Sequence, residues 1–144
     1  MEIQGYNFPD ELYYDQNHYW ARVDGEKVVM GATDFSQKLA GELTYIDIDK
    51  EGEKVDQGKP FASIESGKWV GRVYAVVSGE IVTVNEALED SPELVNQAPY
   101  GDGWFFKIKP SRLDQDLAHL MKAGPEFEAF IRAEIVRVQA LMKK

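Results

Sequence analysis

Before residue 110 the chain consists largely of short runs rich in apolar, β-branched and aromatic residues, which are bounded by turn residues as is typical of β-strands. Two apolar runs, at 20–23 and 27–31, flank Asp24-Gly25-Glu26, where Asp-Gly supplies the positive φ values that a tight hairpin requires. Over residues 42–49 the alternation predicts a strand with Thr44, Ile46 and Ile48 on one face and Tyr45, Asp47 and Asp49 on the other. The pattern therefore predicts antiparallel strands joined by short turns.

Short helices interrupt these strands at two places. Thr33 or Asp34 can cap a helix that ends at Gly41, because a hydroxyl or carboxylate accepts from free N–H groups and glycine favours the helix stop. Ser91-Pro92-Glu93 predicts a second helix start. The aromatic run at 104–109, ended by a proline, predicts a central strand.

From Leu113 the apolar period becomes helical. One predicted helix carries the stripe Leu113, Leu117, Leu120 and Met121. A second predicted helix begins at Pro125, and its wide apolar face consists of Phe127, Phe130, Ile131, Ile135, Val138, Leu141 and Met142. Such a face is typical of core packing, although a surface for a partner or a second copy would show the same pattern.

Composition narrows the possible functions. The 144 residues are 44% hydrophobic, which suits one domain with one core. The net charge of -9 disfavours nucleic acid and anionic membranes as partners. The chain lacks a long apolar run and a signal-like start, so we expect a cytoplasmic protein. Zero cysteines exclude disulfides and thiolate chemistry, so any sulfur chemistry must arrive on an attached group.

The most informative stretch is Ile64-Glu65-Ser66-Gly67-Lys68-Trp69. Apolar runs on both sides predict a hairpin, with Gly67 in the left-handed position and Lys68 presented to water at the tip. A lone tip lysine usually serves solubility. Here, however, a Gly-Glu-x-Val signature occurs on both sides of it, at 52–55 and 79–82. That symmetry singles out Lys68 as a candidate functional amine.

These residues resemble the lipoyl-lysine hairpin of the glycine cleavage H protein family. The resemblance rests on Glu65-Ser66-Gly67-Lys68 and on the runs 77–86, 91–96 and 99–104, and it extends from about Tyr13 to about Ile131. It implies lipoic acid covalently attached at Lys68, and hence a carrier that is not itself an enzyme. A biotin carrier is disfavoured, because those hairpins usually flank the lysine with methionines.

The resemblance also implies a set of neighbours and partners. Gly67 and Trp69 would surround the attachment site, and Glu65 and Ser66 would serve either ligase recognition or turn chemistry. A lipoate-protein ligase or lipoyl-assembly enzymes would attach the arm, and dihydrolipoamide dehydrogenase would be a further partner. We find no competing catalytic constellation in the sequence, because the two histidines lie far apart along the chain.

Two positions depart from the glycine-cleavage pattern. The family pattern has Glu in a His-Glu-Trp run and Asp four residues after the lysine, whereas this chain has His18-Tyr19-Trp20 and Arg72. We expect His18, Tyr19 and Arg72 to form the environment of the cargo. Arg72 would repel an ammonium group and attract an anion. Trp69 also replaces a small residue directly after the lysine.

These departures favour similarity to the lipoate-binding proteins of the heterodisulfide-reductase-like sulfur oxidation pathway, with a heterodisulfide-reductase-like complex as partner. The first alternative is a glycine cleavage H protein that carries the aminomethyl group between glycine decarboxylase and aminomethyltransferase. The second alternative is an unmodified protein-binding module with a free Lys68.

The predicted fold class is mainly β with C-terminal helices (α+β), a flattened antiparallel barrel-sandwich of the lipoyl and biotinyl carrier hybrid type. We expect a single domain over residues 1–144. It would consist of an extended lead-in at 1–17 with one edge strand near Leu12 to Tyr14, a barrel core at 18–110 and C-terminal helices at 111–144.

Overall fold

The computed structural model describes residues 1–142. Its strands are β1 (Glu2–Ile3), β2 (Tyr6–Asn7), β3 (Tyr13–Tyr14), β4 (Tyr19–Asp24), β5 (Lys27–Ala32), β6 (Leu43–Ile46), β7 (Lys54–Val55), β8 (Pro60–Ser66), β9 (Trp69–Tyr74), β10 (Gly79–Val84), β11 (Phe106–Pro110) and β12 (Met121–Lys122). Its helices are α1 (Asp34–Ala40), α2 (Ala87–Asp90), α3 (Leu94–Gln97), α4 (Leu113–Leu117) and α5 (Pro125–Met142).

Two antiparallel sheets form the predicted barrel-sandwich. The larger has the order β12-β3-β4-β5-β11-β10-β7, and the smaller has the order β6-β8-β9. Phe106 and Ile108 are fully buried on β11, which lies between β5 and β10, so the central position predicted for this strand is confirmed. The fold class predicted from the sequence is confirmed as well.

The two Gly-Glu-x-Val segments pair with each other. Gly79 lies opposite Val55, and Glu80 lies opposite Lys54, in an antiparallel ladder between β7 and β10. The Ile81 amide donates to the Glu53 carbonyl at 2.9 Å, which extends this contact. Because β8 and β9 lie between these segments in sequence, their pairing closes the base of the Lys68 hairpin.

The core has two parts. One lies between the sheets and includes Ile64 and Val73 of the hairpin strands. The other lies under α5, where Phe127, Ile131 and Ile135 are buried with aromatic residues from the first half of the chain. Core packing of this helix face is therefore confirmed, although Leu141 is exposed. The Met142 side chain lies outside the part of the chain that the structure describes.

Long-range pairing alters several predicted elements. Met121 pairs with Tyr14 in β12, so the first C-terminal helix ends at Leu117 and the predicted helix through Met121 is wrong. A register shift between Leu43 and Tyr45 breaks the predicted alternation of β6 and leaves Thr44 exposed.

Residues 1–17, which we expected to form an extended lead-in, also depart from the prediction. Residues 1–7 form the hairpin β1–β2, in which Gln4 and Gly5 adopt positive φ values of 51° and 90°. The following strand β3 pairs with both β4 and β12. This segment is therefore part of the folded sheet structure. Within residues 1–142, no helix has the length and apolarity needed to cross a membrane.

Candidate functional site

Lys68 stands at the tip of the β8–β9 hairpin, as predicted. Ser66 pairs with Trp69, so Gly67 and Lys68 alone make the turn. The prediction of a left-handed Gly67 is wrong, because neither turn residue has a positive φ. Instead, the Ser66 hydroxyl accepts from the Lys68 amide at 3.4 Å and helps to close the turn.

Ser66 also ties the hairpin to α1. The Ser66 side chain is buried and its hydroxyl donates to the Ala40 carbonyl, at the C-terminal end of that helix. Ser66 thus has a structural role in the turn, which was one of the two alternatives for it. Glu65 is half-buried opposite Tyr45 and Val70, and its role in ligase recognition stays a prediction.

The Lys68 amine is exposed and has no ion-pair partner among the residues that the structure describes. Within residues 1–142, no carboxylate lies within 4.0 Å of its Nζ. Its stem passes close over Gly41, where an added Cβ would lie 2.9 Å from Lys68 Cε. Gly41 follows α1 with a φ of 81°, so this position favours glycine for its backbone and for the space it leaves. This geometry suits an amine that is covalently extended.

Beside the hairpin lies a cleft of about 440 Å³. Its walls come from α1, β9, α5 and the turn at residues 16–19. Four of the residues predicted from the sequence line it, namely His18, Tyr19, Trp69 and Arg72. Glu65, Ser66, Gly67 and Lys68 belong to the hairpin and do not line this cleft. The structure therefore separates the hairpin tip, which carries Lys68, from the neighbouring cleft.

The two positions that depart from the family pattern are in direct contact. The Tyr19 hydroxyl donates to the Arg72 carbonyl at 2.8 Å, and Tyr19 is only 3% exposed. Burial raises the pKa of Tyr19 above its ordinary value, so the phenol stays neutral. The Arg72 residue is exposed, and its Nε approaches the Ala62 carbonyl at 3.4 Å. The positive charge thus lies at the solvent edge of the cleft.

The structure also adds a carboxylate that the sequence reasoning missed. Glu134 of α5 accepts from His18 Nε2 at 2.8 Å and from Arg137 Nε at 2.9 Å. His18 has a φ of 70° and its ring packs between Phe35 and Phe130. The cleft therefore holds a carboxylate although both family positions, 19 and 72, lack one. The sequence signal was weak, because the spacing of 134 and 137 predicts a helical ion pair but does not predict its histidine partner.

The neighbouring groups determine the charges of Glu134 and His18. Hydrogen bonding from Arg137, together with His18, lowers the pKa of Glu134 to about 2 despite its burial. Burial lowers the pKa of His18, although Glu134 opposes this effect. At neutral pH, therefore, a neutral His18 donates its Nε2 proton to an ionised Glu134.

Asp15 holds the turn that places His18 and Tyr19 in the cleft. Its Oδ1 accepts from the amides of Tyr19 at 2.8 Å and Asn17 at 3.0 Å. Its Oδ2 is buried without a hydrogen-bond partner among the described residues. Burial raises the pKa of this carboxyl from 3.8 to about 7. The turn therefore holds a group that titrates near neutral pH.

We expect Asp15→Asn to flatten the pH dependence of stability between about pH 4 and 7. The unfolded chain releases the Asp15 proton near 3.8, whereas the folded protein keeps it to about 7, so stability falls as pH rises over this interval. The loss is at most about 4 kcal/mol, since one pKa unit corresponds to about 1.4 kcal/mol. Urea unfolding across this range measures the slope. Asp24→Asn, at the exposed end of β4, is the control, and equal slopes in wild type and Asp15→Asn would contradict the prediction.

The fold and the site together define a class of protein. The β8–β9 hairpin presents the exposed amine of Lys68, and no group of three or more histidine or acidic side chains in residues 1–142 could hold a metal. Such a domain presents a covalently attached group to other proteins, and the chemistry resides in that group.

Comparisons with known proteins identify the family. The family model described as "Glycine cleavage H-protein" matches residues 12–133, so the chain belongs to the glycine cleavage H-protein family. The "Probable glycine cleavage system H protein" of Thermococcus gammatolerans is 48% identical, over 85% of this chain and 92% of that protein. The "Glycine cleavage system H protein 2" of Aquifex aeolicus is 46% identical, over 94% of this chain and 87% of that protein.

A solved structure agrees with this assignment. The crystal structure of a glycine cleavage system H protein from Mycobacterium marinum matches with a TM-score of 0.76 and 28% identity. The match covers 88% of this chain and 99% of that one. Proteins of this family carry lipoic acid covalently on a lysine. The chain is therefore a lipoyl carrier component and not itself a catalyst, as predicted. The sulfur-oxidation assignment made from the sequence finds no support among these relatives.

Proposed function

We propose that this chain is the lipoyl carrier of a glycine cleavage system, with lipoic acid attached to Lys68. In this role it carries the aminomethyl group between glycine decarboxylase and aminomethyltransferase, with dihydrolipoamide dehydrogenase as the third partner. The observation that carries the proposal is the exposed Lys68 at the hairpin tip of a chain that belongs to this family.

The chain's own residues support this role in two ways. The turn and the Ser66 bridge hold the amine away from the sheet, so a lipoate ligase can reach it without unfolding the protein. The Trp69 indole covers Gly71 in the cleft wall, where any added Cβ would overlap its ring. This offers an apolar surface to the arm. A lipoyl group supplies the disulfide and dithiol chemistry that a cysteine-free chain lacks.

A second candidate function is a lipoyl carrier in sulfur oxidation, with a heterodisulfide-reductase-like complex as partner. One observation favours it. Arg72 places a guanidinium at the cleft edge, which suits an anionic sulfur-bound cargo better than an ammonium. The relatives described above support the glycine-cleavage function better, since both are named as glycine cleavage system H proteins.

The test is aminomethyl loading of the lipoylated chain by glycine decarboxylase and glycine, measured by intact mass. Efficient loading supports the glycine-cleavage function and contradicts the sulfur assignment. A fully lipoylated chain that never becomes loaded contradicts the glycine-cleavage function.

We expect Arg72→Asp to raise the loading rate about two- to fivefold, because the exchange turns repulsion of an ammonium into attraction at a partly screened site. Initial loading rates of both proteins give the comparison. Lys59→Asp makes the same charge change in an exposed turn away from the cleft and should leave the rate unchanged. A lower rate in Arg72→Asp would show that the guanidinium does not oppose the cargo.

A further inference from the structure

Glu134 is the one acidic side chain among the described residues that line the cleft. It lies just past the region matched by the family model, which ends at residue 133. Its side chain is 17% exposed, so part of it faces the cleft while most is shielded from water. A carboxylate in this environment interacts more strongly with a nearby cation than a fully solvated one does.

Glu134 has spare capacity to accept a hydrogen bond. Its Oε1 accepts from His18 and from Arg137 Nη2 at 3.0 Å, and its Oε2 accepts from Arg137 Nε. A carboxylate offers about four acceptor positions, so one remains on Oε2. Arg137 is 57% exposed and also lines the cleft, so a cargo amine would compete with this guanidinium for Glu134.

The cleft begins close to the stem of the attachment lysine. Lys68 passes over Gly41, and the preceding residue, Ala40, is part of the cleft wall together with Trp69. An arm on the Lys68 nitrogen can therefore fold back along Trp69 toward the inner end of the cleft.

We propose that Glu134 is the counter-charge for the protonated amine of the cargo when the end of the arm lies in the cleft. This inference rests on the proposed glycine-cleavage function. Glu134 takes the place of the carboxylates that positions 19 and 72 lack, and it comes from a different element, the C-terminal helix. Glu134 is thus a specificity-determining residue supplied by α5.

The same helix provides a matched control. Glu128 and Arg132 form an ion pair of 2.7 Å on the open surface of α5, with side chains 36% and 48% exposed. Neither residue lines the cleft. Glu128→Gln therefore removes an equivalent charge and an equivalent helical ion pair without changing the cargo environment.

The experiment compares how long loaded protein keeps its cargo. Wild type, Glu134→Gln, Glu128→Gln and Arg137→Gln are lipoylated, loaded by glycine decarboxylase and separated from the enzyme, and loss of the cargo is followed by intact mass. We expect Glu134→Gln to lose the cargo about fivefold faster, because it gives up a charge-assisted hydrogen bond. Glu128→Gln should match wild type, and Arg137→Gln should lose the cargo more slowly because it frees Glu134.

The results distinguish a failure of the proposed glycine-cleavage function from a failure of the role proposed for Glu134. If wild type is lipoylated but cannot be loaded, the proposed function is wrong. If wild type is loaded but Glu134→Gln keeps its cargo as long as wild type does, only this inference is wrong. A merely structural ion pair would make Glu134→Gln and Arg137→Gln change in the same direction, which would also overturn it. Thermal unfolding of each variant checks that α5 stays docked.

Discussion

Lys68→Arg is expected to abolish lipoyl attachment completely while leaving the fold intact. Acylation needs a neutral amine, and a guanidinium, with a pKa above about 12, does not supply one. The arginine keeps the positive charge, and the side chain at this position is exposed with no ion pair among the described residues, so stability should change by less than about 0.5 kcal/mol. Intact mass after co-expression with a lipoate ligase gives the result.

Lys59→Arg is the matched control for this prediction. Lys59 is an exposed turn lysine shortly before β8, and its replacement should leave attachment unchanged. A Lys68→Arg protein that still gains one lipoyl group would place the attachment elsewhere. A wild-type protein that never gains one would instead support the unmodified binding module.

Gly79→Ala is expected to destabilise the protein by about 3 kcal/mol or more. An added Cβ would overlap the carbonyl oxygen of Lys109 and lie 2.9 Å from the Cα of Pro110. Both atoms belong to the backbone of β11, at the end where Pro110 pairs with Gly79 and Lys109 pairs with Glu80. Because neither neighbour can move without breaking the ladder, the clash must separate β10 from β11.

Gly58→Ala distinguishes this clash from simple loss of glycine flexibility. Gly58 has a φ of 81°, but nothing lies within 4 Å of an added Cβ, so only backbone strain of about 1 kcal/mol is expected. Urea unfolding of the two variants and wild type gives the comparison. If Gly79→Ala and Gly58→Ala lost the same free energy of unfolding, β11 would have to shift and make room for the added methyl group.

The sequence predicted correctly those helices and turns that depend on residues close together in the chain. Thr33 caps α1 by accepting from the Ser36 amide at 3.1 Å, and Gly41 ends the helix, as expected from residue types alone. The Lys68 hairpin followed from its apolar flanks. Periodicity could not reveal that Met121 pairs with a strand more than 100 residues earlier, because that pairing depends on the assembled sheet.

The sequence predicted several residues of the cleft but did not predict its negatively charged side chain. His18, Tyr19 and Arg72 do line one cleft, but the carboxylate of this cleft comes from Glu134, a position that the family pattern did not point to. Glu134 reaches His18 across 116 positions of sequence. No spacing rule joins the two, since the contact exists only because α5 packs its buried face under the first strands.

The pairing of β7 with β10 has a consequence for how this carrier serves several enzymes. That ladder anchors both ends of the β8–β9 hairpin to the larger sheet, so movement of the hairpin itself adds little to the reach of the arm. The cargo can then visit only a sphere whose radius is the length of the tether. Each partner must therefore bring its own catalytic centre inside that sphere, and the docking geometry of the enzymes decides where delivery is possible.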